Sequence, residues 1–430
     1  MRREILHEGA GQLTYEIREI VKIARFIQSK GQEIYWENIG DPILKGEEIS
    51  PWIRDIVKEA AGESISYGYT DSQGDLEARS FLADEVNSRQ GIDITMDDII
   101  FFNGLGDAIS KVYSYLKRES RILGPSPAYS THSSAEAAHS GYSHLTYNLD
   151  PHNKWFPDID DLESKVKYND SIAGILLINP DNPTGAVYTK EILMEIVDIA
   201  KRYDLFIICD ETYANVTFPD TNWTFLSSVI NQVPGISMRS LSKEVPWPGS
   251  RCGWIEVYNR HRDEEFNKYI ESIISAKRLE VCSTTLPQLV LPKILGDKRY
   301  KRHIDSRSKI FSDRAEEAHS ILSKVKGVTC IKPRGALYFS VIFEDLCDNG
   351  VLDIDNKEVE EYISSQVKNV PSDKRFVYYL LASTGICVVP LSGFYSDLKG
   401  FRFTLLENDY VRRNMIYSTI AESINKYLNN

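Results

Sequence analysis

Between residues 50 and 255 short apolar runs alternate with longer amphipathic stretches, and this pattern constrains the fold more than any other feature. The runs at 98–102, 121–123, 173–178 and 205–209 have strand length and, apart from Asp98 and Arg121 at the starts of the first two, show no polar face. Between them, residues 107–117 and 190–203 place apolar side chains at helical spacing. Strands that are apolar on both faces must be covered on both faces. Parallel strands also need long crossovers, which helices supply. The pattern therefore predicts an α/β fold with a mainly parallel sheet, in which ligands sit at the carboxyl ends of the strands.

The flanks read differently. Residues 13–29 have helical periodicity, and 33–39 read as a short strand that ends at Gly40-Asp41-Pro42. A charged helical stretch at 301–326 leads toward a smaller α+β lobe, with strands within 328–342, 386–389 and 401–405. Segment 344–375 mixes loop with one helix. The expected division is a large domain over 50–300, and a small one from 1–49 and 301–430. No internal repeat suggests a solenoid.

Charge narrows the function. A net charge of −12 argues against a general nucleic-acid binder, which needs a basic face. The six cysteines stand singly, without zinc-ligand spacing, so no metal site is expected. No stretch approaches the ~20 apolar residues that span a bilayer, and residues 1–5 lack the apolar core of a signal peptide. A cytoplasmic enzyme that makes no membrane contact is the expectation.

Four segments carry chemistry. In Ser240-Leu241-Ser242-Lys243, followed by Pro248-Gly249-Ser250-Arg251-Cys252-Gly253, an amine lies between small residues with a cation eight positions on. That suits an imine to a phosphorylated aldehyde, with Ser240 and Arg251 on the phosphate. A surface lysine beside a Pro-rich loop is the ordinary alternative. Asn179-Pro180-Asp181-Asn182-Pro183-Thr184-Gly185 follows an apolar run and puts Asn182 at a strand's carboxyl end. Asp210 closes the next run, where a carboxylate either caps a helix or keeps a pyridine nitrogen protonated. Tyr213, three residues on, could reach a ring oxygen. Asn103-Gly104-Leu105-Gly106-Asp107 lacks the third glycine of a dinucleotide fingerprint, because Ile109 stands there, but it suits a single phosphate. The joint order of the four has no ordinary reading.

These segments, from about Tyr15 to Leu405, resemble the class I and II aminotransferases of the aspartate-aminotransferase fold, fold type I of the pyridoxal-phosphate enzymes. The most specific likeness is Ser-x-Ser-Lys-x4-Pro-Gly-x-Arg-x-Gly at 240–253. The resemblance implies a seven-stranded sheet in the large domain, pyridoxal 5'-phosphate as cofactor, and Lys243 as its Schiff-base lysine and proton carrier. It places Asp210 on the pyridine nitrogen, Tyr213 and Asn182 on the ring oxygen, and Tyr129 against the ring. Gly104, Leu105, Gly106, Ser240 and Arg251 hold the phosphate. Arg402 takes the substrate α-carboxylate with Gly40 beside it, and Tyr69 reaches the neighbouring active site of a homodimer.

Within the family the chain is most similar to alanine aminotransferases. Tyr15-Glu16-Ile17-Arg18, a substrate-covering segment with Tyr15 and Arg18 as contacts, is joined by Trp155-Phe156-Pro157-Asp158, residues 182–188, Lys332-Pro333-Arg334-Gly335-Ala336-Leu337-Tyr338 and residues 384–390. The implied partners are amino acids and 2-oxo acids: alanine or glutamate as donor, pyruvate or 2-oxoglutarate as acceptor, in a ping-pong reaction. Aspartate or aromatic amino-group transfer, and a lyase reaction on the same fold, are the alternatives. A cofactor-binding transcription regulator fits less well, since about 40 residues precede the Gly-Asp-Pro turn. The chain departs from the family at Ser130-Thr131-His132, where a proline is usual after the tyrosine, at Leu391, where a glycine is usual, and in a long segment 344–375. All three bear on substrate choice.

Overall fold

The computed structural model describes residues 5–13, 16–346 and 349–429. An eight-stranded sheet lies at the centre, in the order Ile99–Asn103, Cys252–Tyr258, Gly235–Ser240, Phe206–Asp210, Ile172–Ile178, Arg121–Ser126, Leu145–Asp150, Phe156–Pro157. Only Cys252–Tyr258 and Phe156–Pro157 run against the other six. The resemblance predicts seven strands. The eighth is the two-residue edge Phe156–Pro157, paired only with Leu149 and Asp150. Helices cover both faces, and apolar cores lie on each side of the sheet. This is the mixed α/β architecture the alternation predicts.

Leu145–Asp150, half polar, escapes the apolar pattern, and so do two fully buried strands. Gly235–Ser240 and Cys252–Tyr258 are buried throughout, yet they carry Arg239 and Glu256. Each charge is matched inside: Arg239 Nη2 meets Glu244 at 3.2 Å, and Arg89 Nη1 meets Glu256 at 3.1 Å. Buried charges persist where they are paired, so a strand interior need not read as apolar.

A four-stranded antiparallel sheet, Val328–Cys330, Tyr338–Phe343, Gly400–Thr404 and Val389–Pro390, builds a second core with the C-terminal helices. The strand-like stretch 328–342 holds Val328–Cys330 and the start of Tyr338–Phe343, separated by a turn in which Ala336 takes a positive φ of 58°. Residues 386–389 divide likewise. Ile386–Cys387 pairs with Tyr35–Trp36, the only strand within 33–39, while Val389–Pro390 joins the antiparallel sheet. Helix Tyr300–Leu322 links the two cores. Segment 344–375 holds helix Lys357–Gln366 and the start of Ser372–Thr384, whose Val359, Ile363 and Phe376 pack into the second core. None of its described residues lines the cleft below.

Candidate active site

Five parallel strands end along one edge of the main sheet, and each hands on a segment singled out in the sequence. After Asn103 come Gly104 and helix Leu105–Ser114. After Ser126 comes Tyr129, after Ile178 comes Asn182, Asp210 ends its own strand, and Ser240 leads into helix Leu241–Glu244 with Lys243. Arg251 reaches the same edge because Cys252–Tyr258 runs the other way. A cleft of about 350 Å³ results, lined by Leu105, Gly106, Tyr129, Asn182, Asp210, Tyr213, Ser240, Lys243 and Arg251, and closed from the second core by Gly40 and Arg402.

The Lys243 Nζ donates to the carbonyl oxygen of Gly40 at 2.5 Å. Burial pushes its amine down to about 8, with Arg402, Arg307 and Arg251 acting in the same direction and Asp41 opposing. A lysine there is part neutral near physiological pH, as a nucleophile and proton carrier must be. Gly40 has no room for a side chain, since a Cβ would lie 2.3 Å from the Tyr338 hydroxyl. Tyr338 is fixed in its strand and its hydroxyl meets that of Tyr213 at 2.8 Å. Gly40→Ala is accordingly expected to cost about 1–3 kcal/mol by overpacking, measurable as a lower Tm and a weaker substrate KM.

Asp210 is buried at the floor. His132 Nε2 lies 3.1 Å from its Oδ2, and the Thr212 N–H donates to its Oδ1 at 3.0 Å. Burial pulls the carboxyl up, but the His132 hydrogen bond and charge, with Thr212, outweigh it and hold the group below its ordinary range. The carboxylate is therefore a fixed negative charge facing the cleft. Burial, reinforced by Tyr338, pushes the Tyr213 phenol well above its usual value and keeps it a neutral hydroxyl. Asn182 is 4% exposed, and its side-chain oxygen has no partner among the described residues. A buried amide left unsatisfied at a cleft wall points to a ligand.

The cleft side beside Gly104 and Arg251 is built from backbone. Gly104 takes a positive φ of 84°, and a Cβ on it would strike the Arg251 guanidinium at 2.1 Å. That lets the chain turn sharply into helix Leu105–Ser114, whose first N–H groups lack acceptors within the helix and attract anions. Gly106 faces open space. Arg251 donates to the carbonyls of Pro248 at 3.0 Å and Asn103 at 3.3 Å, which holds it over this turn. Ser240 Oγ accepts from the Ser242 N–H at 3.3 Å. An aldehyde-bearing pyridine phosphate fits this donor set: an amine, a carboxylate, a neutral amide and hydroxyl, and an anion cradle.

Arg402 is 1% exposed, lies over the Tyr338 ring at 4.5 Å, and donates to the Asn38 carbonyl at 3.1 Å. Tyr69 stands 81% exposed and does not line the cleft of its own chain. Tyr15 and the Arg18 side chain lie outside the described residues. Nothing local in the sequence marks His132 or Tyr338 as a site residue, yet His132 contacts Asp210 and Tyr338 lines the cleft. His132 was visible only as the departure from proline after Tyr129, and its contact with Asp210 is tertiary.

Comparisons with known proteins give the family. Residues 39–414 match the model for aminotransferase class I and II. An uncharacterized aminotransferase of Methanocaldococcus jannaschii is 55% identical over the whole of both chains. The glutamate-pyruvate aminotransferase AlaA of Escherichia coli K12 is 31% identical over 75% of this chain and 79% of that protein. The solved alanine aminotransferase of Pyrococcus furiosus superposes with a TM-score of 0.83 at 26% identity, covering 98% of this chain and 99% of that one.

Proposed function

The chain belongs to the class I and II aminotransferases, and on that premise we propose that it moves the amino group of alanine or glutamate to pyruvate or 2-oxoglutarate. The observation that carries this reading is a buried amine, Lys243, facing a fixed carboxylate, Asp210, in one cleft with the guanidinium of Arg402. The cofactor is pyridoxal 5'-phosphate, on which the family depends; when bound it supplies an aldehyde for the amino group and a ring that takes up the electrons released with the α-proton.

The residues divide the work. Lys243 anchors the aldehyde and moves the α-proton as base and then acid. Asp210, held ionised by His132, keeps a proton on the ring nitrogen. Asn182 and Tyr213 would hold the ring oxygen, and Tyr129 would pack against the ring. Leu105, Gly106, Ser240 and Arg251 bind the phosphate, with Gly104 making the turn. Arg402 grips the α-carboxylate beside Gly40, and Tyr15 and Arg18 cover the substrate. The donor leaves as a 2-oxo acid before the acceptor enters, giving ping-pong kinetics. Residues 50–300 act as the cofactor domain, with 1–49 and 301–430 as the small one. Tyr69 serves the neighbouring cleft of a homodimer. No helix among the described residues is long and apolar enough to cross a membrane, and a cytoplasmic location accords with the soluble substrates.

The test is incubation with alanine and 2-oxoglutarate. Glutamate and pyruvate should appear together, with parallel double-reciprocal plots; ammonia without glutamate would refute transfer. Arg402→Lys tests carboxylate recognition. A lysine keeps the charge and loses the fork, so KM for the amino acid should rise about 100-fold, or about 2.7 kcal/mol. An unchanged KM would remove Arg402 from the substrate site.

A further inference from the structure

Helix Leu241–Glu244 is four residues long and cannot satisfy its own last carbonyls. Arg307, from helix Tyr300–Leu322, does so: its Nη1 donates to the carbonyl oxygens of Lys243 at 2.7 Å and Glu244 at 3.0 Å. The other side of the same guanidinium grips Glu47, Nε to Oε1 at 2.5 Å and Nη2 to Oε2 at 3.1 Å. Glu47 in turn closes the loop that begins at Gly40, since its N–H donates to the Pro42 carbonyl at 2.9 Å. The loop's first residue, Gly40, is the acceptor of the Lys243 amine. One side chain, with only 6% of its surface exposed, thus ties the backbone under the amine to the loop in front of it.

We propose that Arg307 is a positioning residue for Lys243, setting where its amine sits against Gly40 and lending it a fixed positive neighbour. The inference rests on the reading of Lys243 as the cofactor lysine. Arginine suits the task because its planar fork offers five donors, enough for two carbonyls and a carboxylate at once. His303, one turn earlier, supports the same helix end, with Nε2 at 3.1 Å from the Glu244 carbonyl and Nδ1 at 3.1 Å from Ser50 Oγ. The charges that face the Lys243 amine are Asp41, Arg402, Arg307 and Arg251. Those beside Arg307 are Glu47 and His303.

Competitive acetylation of Lys243 in the cofactor-free protein, read by mass spectrometry across pH, measures the amine directly. Arg307→Met removes the cation and leaves Glu47 unmatched, so the midpoint should rise by about one unit. Glu47→Gln keeps the guanidinium on the helix and removes its counter-charge, so the midpoint should fall. General loosening of the fold would move both variants the same way. Opposite shifts support the proposal, and equal or absent shifts overturn it. If Arg307→Met does not fold, Glu47→Gln decides alone, since a midpoint that stays or rises defeats the inference. Failure of the underlying reading shows separately: wild-type protein mixed with pyridoxal phosphate would then lack a visible band that amino acids bleach, or Lys243→Ala would retain it.

Discussion

Replacing Lys243 with alanine is expected to lower turnover by about 10⁴-fold, the upper range for a group that transfers a proton. The variant should still hold pyridoxal phosphate through the Gly104–Gly106 turn, Arg251 and Asp210, because none of these depends on the amine. Borohydride should then no longer fix the cofactor to the protein, whereas in the wild type it should attach at Lys243. Turnover that survives the substitution would reject the central assignment. The buried amine also predicts a stability effect. Its folded pKa, about 8, lies below the ordinary lysine value of 10.5. Between those values the unfolded chain carries the proton and the folded chain does not, so stability climbs with pH. Below about 8 the folded protein bears the full penalty of burying the charge. Lys243→Met should therefore raise the Tm of the cofactor-free protein at pH 7, and the gain should shrink toward pH 10.

Asp210→Asn should lower kcat by about 10²–10³-fold, the scale for losing one preorganised charge in a site closed to water. An amide is isosteric with the carboxylate but cannot keep a proton on a pyridine nitrogen. The loss should fall on kcat, with KM little changed, because the cleft shape and Arg402 remain. A variant that turns over at the wild-type rate would show that His132 and Asp210 are only a structural pair. The pH dependence of stability separates the two roles. The folded carboxyl titrates below its ordinary range, so its contribution is present above the unfolded carboxylate pKa and lost as pH falls through the lowered folded value. In Asp210→Asn that acid branch should disappear from the Tm profile, whatever happens to catalysis.

Much of this molecule is legible in one dimension because the residues that line its cleft follow strand ends. The apolar run 173–178 predicts a buried strand, and whatever follows such a strand in a parallel sheet faces the ligand edge. Asn182 and Asp210 could be placed by that argument, and Gly104 by the turn it must make. The two strands on either side of Lys243 were not legible, because Arg239 and Glu256 interrupt their apolar pattern and find partners only in the fold. His132 was hidden for a related reason. Nothing local distinguishes a histidine bonded to Asp210 from one facing solvent, and the two are 78 positions apart.

By itself, the sequence determined the architecture, the order of the chemical groups along one sheet edge, and the family. The first two follow from local patterns, namely apolar periodicity and glycine at a tight turn, and the family from the resemblance carried by the motif at 240–253. Tertiary structure alone decided how those groups behave. The Lys243 amine is lowered because burial, Arg402 and Arg307 from distant segments and the nearby Arg251 converge on it, and Asp210, at a strand end, stays charged because His132 reaches it from helix Ser130–Ser140. Protonation energies depend on solvent exclusion and on charges close in space. Neither quantity exists until the chain has folded.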